Sequence, residues 1–213
     1  MILLSNNLDA LVQAVIEGRQ RDAVTHAESL LSSGIDVYTI VEHGLSPALK
    51  ALDVKCTSDE FNLLEIMLAG RAMMEVMDKV IAKQLDHDQP VKQKITIILG
   101  SIKGDIHELG KHVVRILLSC AGYKVIDLGQ DVEPERFVEA AVEAKADYIF
   151  ISGLISVIVP HVREVKVFLK QRNLTIPVVA GGAALQQMSA ESLNVDYVAK
   201  DAFDGLHYVQ QMR

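Results

Sequence analysis

Two rhythms of apolar residues divide this chain. From residue 6 to 83 the apolar positions recur every three or four residues: Leu8, Leu11, Val12 and Val15 share one helical face, and Gly18 reads as a stop. Ala23, Ala27, Leu30 and Leu31 mark a second helix, closed by Ser32-Ser33-Gly34. Val37, Ile40, Val41 and Leu45 mark a third, continuing through Pro47 with a kink to Leu52. The longest runs from Leu63 to Ile81, with Leu64, Met67, Leu68, Met74 and Met77 among its apolar positions. Four helices joined by short connections predict a small antiparallel bundle. Gln84 to Gln93, polar and containing Pro90, reads as a linker, so the domains are expected at 1–88 and 89–213.

From Lys94 onward the rhythm changes. Strand-like runs at 95–99, 123–127, 147–151, 176–180 and 195–198 alternate with helix-length segments. That alternation implies an α/β fold: a Rossmann-like (flavodoxin-like) five-stranded parallel sheet behind the four-helix bundle. The expected strand order is 2-1-3-4-5, with the switch point between the first and third strands. Loops following those two strands would then lie side by side.

Composition narrows the function classes. The chain has 213 residues, half of them apolar, enough for a proper core. A formal net charge of −7 and the lack of a basic stripe argue against nucleic-acid binding. No apolar run approaches the length of a bilayer span. The start, Met1-Ile2-Leu3-Leu4, lacks a basic n-region and is followed by the polar Ser5-Asn6-Asn7, so a secretory leader is not expected. Two cysteines far apart, Cys56 and Cys120, fit a reducing cytoplasm.

The chemistry concentrates in Gly104-Asp105-Ile106-His107-Glu108-Leu109-Gly110, between the first strand and a helical pattern starting near Leu109. A histidine there sits at the carboxyl end of a strand, where α/β sheets place ligands. Asp105 can reach the same imidazole, as acidic residues do beside metal-bound histidines. Taken alone, a loop histidine is more often simply solvated, one of seven in this chain. A zinc helix does not fit either. His107 and His112 are five positions apart, about 140° beyond a full helical turn, and no cysteine pair supplies further ligands.

Asp105-x-His107-x-x-Gly110 resembles the DxHxxG signature of cobalamin-binding domains, and Ser152-Gly153-Leu154 and Gly181-Gly182 follow in that family's order. Tyr123-Lys124-Val125-Ile126-Asp127-Leu128-Gly129 lies between them. The amino-terminal half resembles the helical cap preceding this domain in methionine synthase and in corrinoid proteins of methyltransferase systems.

That resemblance implies a cobalamin cofactor, with His107 as the cobalt ligand and Asp105 holding the far side of its imidazole. It implies that Gly104, Ile106, Glu108 and Gly110 border the same site. Gly181 and Gly182 would wall a slot for the displaced nucleotide tail, with Ser152 offering a hydroxyl and Leu154 an apolar contact. In methionine synthase a serine completes a relay with the aspartate and histidine; here that position is Ile158, and Ser156 is the nearest hydroxyl in the loop. The cap would shield the upper corrin face near Phe61, Leu63, Leu64, Met67, Gly70 and Met74. The pattern before this helix also departs from related corrinoid proteins, with Val54-Lys55-Cys56 and Leu64 in place of the usual Gly, aromatic and Pro.

The function so implied is a non-catalytic methyl carrier, cytoplasmic, served by a donor-specific methyltransferase, an acceptor methyltransferase and a corrinoid-activating reductase. A cobalamin-binding sensor is the alternative, although no basic recognition helix accompanies the domain. A flavodoxin-like anion module is a third reading, without GxGxxG, a P-loop lysine or any Trp to support it.

Overall fold

The computed structural model describes residues 2–56, 63–85 and 95–212. Contacts divide the chain into two units, Met1–Gln89 and Pro90–Arg213. The predicted linker falls mostly at 86–93, outside the described residues; Gln84 and Leu85 still belong to a helix.

In the first unit α1 (Ile2–Ile16) and α2 (Gln20–Ser32) are followed by α3 (Val37–Ile40), α4 (Ser46–Cys56), α5 (Leu63–Val76) and α6 (Ala82–Leu85). π turns at Val41–Leu45 and Met77–Ile81 join α3 to α4 and α5 to α6, making two long helices of the last four pieces. The kink expected at Pro47 takes the form of the first π turn. Pro47 cannot donate a backbone hydrogen bond and its ring crowds the preceding turn, and the wider turn, with Ser46 N–H donating to Val41 C=O, accommodates it. Nothing in the sequence marks the second. α1 packs on α2, α4 and α5, and α2 on α5, over a core of Leu11, Val15, Ala27, Leu30, Ile40, Leu45, Met73 and Val76. Of the candidate cap residues, Leu64 and Met67 are exposed and Gly70 and Met74 half-buried. Phe61 lies outside the described residues.

In the second unit β1 (Thr96–Ser101), β2 (Lys124–Asp127), β3 (Tyr148–Ser152), β4 (Val178–Gly181) and β5 (Tyr197–Ala199) form one parallel sheet in the order β2-β1-β3-β4-β5. This is the predicted order. β4 starts later than its apolar run because Pro177 has no N–H for the ladder. β5 starts later because Val195 N–H closes the preceding helix by donating to Ala190 C=O, at 3.0 Å.

Between the strands run α7 (Leu109–Cys120), α8 (Pro134–Ala144), α9 (Val159–Gln171), the short α10 (Ala190–Leu193) and α11 (Ala202–Gln211). Right-handed crossovers run one way from β1 to β2 and the opposite way from β2 to β3 and β4, which puts α7 on one face and α8 and α9 on the other. α8 and α9 cover Ile98, Ile149, Ile151, Val178 and Ala180 through Phe137, Val138, Val162 and Val165. Every residue of β1 is buried, as a central parallel strand requires.

Candidate functional site

The site is built where β1 ends. Ile102 extends the sheet by one residue, donating its N–H to Ser152 C=O at 3.1 Å and bridging Val132. The chain then turns sharply. Asp105 N–H donates back to Ile102 C=O at 2.9 Å, and Gly104, at φ +86°, occupies the left-handed region inside that turn. Asp131 clamps it from the neighbouring loop: its carboxylate accepts from Gly104 N–H at 2.7 Å, and its own N–H donates to Asp105 C=O at 3.0 Å.

Asp105 is 1% exposed, yet its charge is fully used. Oδ1 accepts from His107 N–H at 2.8 Å and from His107 Nδ1 at 2.7 Å. Oδ2 accepts from Leu154 N–H, on the loop after β3. A carboxylate oxygen only accepts, so Nδ1 is the donor to Asp105, and in the neutral ring that tautomer leaves the lone pair on Nε2. His107 is half-exposed, so the arrangement presents a nitrogen donor on an oriented ring, as a metal ligand requires. Ser101 Oγ donates to the carbonyl of His107 at 2.8 Å.

Sheet register brings the other candidates alongside. Ser101 pairs with Ser152, and Ser152 with Gly181, so three strand ends lie in a row. The two glycines of the pair have different reasons to be glycine. A Cβ on Gly182, at φ +109°, would overlap the Gly153 backbone, with the carbonyl carbon 2.9 Å away. A Cβ on Gly181 would make only ordinary contacts, 3.6 Å from Ala199 C=O. Gly110 lies in the first turn of α7, and a Cβ there would meet open space. Ile106 is exposed, and Glu108 is half-buried with Oε1 3.5 Å from Lys111 Nζ.

The loop after β3 differs from a relay. Ser156 is exposed on a 3-10 turn (Ser156–Ile158) and does not bond Asp105. Ile158 is buried, lying where a Cβ on Gly104 would come within 3.3 Å of its Cγ2 and one on Gly153 within 2.7 Å of its Cδ1. An apolar plug thus occupies the position where the resemblance places a hydroxyl.

Sequence reasoning missed several neighbours. Val157, 73% exposed, joins Ile106 and Ile155 as uncovered apolar side chains on the two loops. An apolar run continuing past a strand end was the available signal. Asp131 carried none. Lys111 is 1% exposed, with Nζ 2.6 Å from Asp127 Oδ1 and 3.2 Å from Gly129 C=O. A lysine in the first turn of an amphipathic helix gives no hint of burial.

Residues 95–206 match the family described as B12 binding domain, and a second family of the same description matches residues 8–81. A corrinoid protein of Desulfitobacterium hafniense strain Y51 is 30% identical over 215 residues, covering 99% of each chain. Dimethylamine corrinoid protein 1 of Methanosarcina acetivorans is 31% identical over 208 residues, covering 96% of each. Among solved structures, the monomethylamine corrinoid protein of Methanosarcina barkeri superposes with a TM-score of 0.82 at 25% identity, covering 98% of this chain and 99% of that one.

Proposed function

We propose, since this chain belongs to the B12-binding family, that it is a corrinoid methyl carrier in which His107 holds the cobalt of cobalamin. The observation that carries this reading is the clasp of Asp105 on His107, which leaves Nε2 of an oriented, half-exposed imidazole as the free donor. The surroundings fit a large ring compound. Ile106, Ile155 and Val157 offer uncovered apolar surface beside His107, and Gly110 adds no side chain to obstruct approach.

Cobalamin supplies a cobalt centre able to accept and release a methyl group. The protein's part is to bind, orient and exclude water. Asp105 fixes the imidazole tautomer, and its hydrogen bond makes His107 a stronger donor. Ser152 and Leu154 line the neighbouring strand end, and Gly181 is the position there with room along its backbone. Residues 1–88 serve as cap and 89–213 as binding domain. Donor and acceptor methyltransferases dock in turn, and a reductase restores the reduced corrinoid. No described helix is long and apolar enough to cross a membrane, and we place the protein in the cytoplasm with these partners.

Loading the protein with cobalamin and replacing His107 by Ala tests the reading. The expected result is loss of the histidine-ligated visible spectrum. An identical spectrum in the variant would overturn the assignment.

A further inference from the structure

We infer that Ser101 and Lys111 are positioning residues for His107, forming a second hold on the ligand loop that acts on its backbone independently of Asp105. The inference rests on the reading of His107 as the cobalt ligand. Asp105 secures the imidazole and the N–H of His107, but the carbonyl on the other side of the residue is held by Ser101 Oγ at 2.8 Å. Ser101 is fully buried, and its own N–H donates to Gly129 C=O at 3.0 Å. That same carbonyl accepts from Lys111 Nζ at 3.2 Å. The ammonium is anchored by Asp127 Oδ1 at 2.6 Å, and this oxygen also accepts Gly129 N–H at 2.9 Å. Glu108, the residue after His107, approaches Lys111 with Oε1 at 3.5 Å.

Seen from His107, one chain of contacts runs through Ser101 and Gly129 to the ion pair of buried Lys111 with half-buried Asp127, and a shorter one runs through Glu108 to the same ammonium. A buried lysine is expensive unless a specific geometry uses it. Here it ties the first turn of α7, the end of β2 and the residues flanking the ligand into one rigid unit. A ligand residue held at both its N–H and its carbonyl cannot swing when the metal's demand on it changes.

The test uses the full chain with Ser101→Ala and Lys111→Met, and wild type and His107→Ala as controls. Two quantities are read: amide hydrogen exchange over residues 102–108 in the cofactor-free protein, and imidazole nitrogen coupling in the electron paramagnetic resonance spectrum of the cob(II)alamin-loaded protein. Ser101→Ala should speed exchange in the loop by about fivefold to tenfold, the consequence of one lost buried hydrogen bond. It should also reduce the histidine-coupled fraction while corrinoid is still bound. Lys111→Met should do the same, and Ser101→Ala carries the test if that variant does not fold. Wild-type exchange and wild-type coupling in Ser101→Ala would overturn the inference. Coupling retained in His107→Ala would instead overturn the ligand assignment, a separate and recognisable failure.

Discussion

Leu154 donates its backbone N–H to the buried carboxylate of Asp105 across a separation of 49 residues. This bond links the loop after β3 to the His107 loop after β1, and it uses the oxygen of Asp105 that His107 leaves free. The carboxylate is therefore both the orienting partner of the imidazole and the joint between two strand ends.

Replacing Asp105 with Asn should break that joint. An amide with its oxygen toward His107 turns its NH₂ toward Leu154 N–H, donor against donor. Stability of the cofactor-free protein should fall by about 1–3 kcal/mol. Histidine ligation should weaken by about 10- to 100-fold, shifting the visible spectrum toward the histidine-off form. Thermal melting and spectral titration measure the two effects; if neither moves, Asp105 has no such role.

The two glycines after β4 should separate experimentally. Gly182→Ala forces a Cβ onto the Gly153 backbone in a left-handed conformation and should cost at least about 2 kcal/mol. Gly181→Ala has room and should stay within about 0.5 kcal/mol of wild type. If Gly181 walls the nucleotide slot, its variant should still lose cobalamin affinity with its melting temperature intact. Equal stability losses would contradict the packing described here.

Ile158→Ser puts the hydroxyl of the methionine-synthase pattern into an apolar plug. Removing a fully buried side chain between Gly104 and Gly153 should cost about 2–4 kcal/mol. Chemical denaturation would show it as a lower midpoint. A variant as stable as wild type would mean that Ile158 does not set the spacing of the two loops.

His112 should give the protein part of its acid sensitivity. Burial, reinforced by Lys111, holds its imidazole below the usual histidine range; Glu108 pulls the other way, with smaller contributions from Arg115 (lowering) and Asp127 (raising). The unfolded chain thus takes up a proton first, near the ordinary value of about 6.5. The stability contributed by neutral His112 is complete above that value and declines as pH falls below it. His112→Gln should flatten the loss of stability between pH of about 7 and 5. Melting curves at several pH values, parallel in the two proteins, would refute this.

Much of this molecule was written locally. Strand positions followed from runs such as Ile95 to Leu99, and α7 begins at Leu109, where its apolar pattern starts. The pairing of Asp105 with His107 was legible because two residues along a turn is a distance that local geometry alone can close. Elements whose limits depend on a neighbour were less legible. The π turn at Met77–Ile81 has no marker, and β5 is shortened by a helix closure that takes Val195.

The sequence by itself determined the Gly104–Gly110 loop between β1 and α7, the order of strands and the aspartate–histidine pair, because each depends on residues close along the chain or on the limited set of right-handed parallel connections. Only the tertiary structure decided that Leu154 completes the coordination of Asp105, that Gly182 yields to the Gly153 backbone, and that Lys111 is buried against Asp127. Those facts depend on distances between separate strand ends. Such distances are fixed by sheet register and by the packing of whole helices, quantities that no short stretch of residues contains.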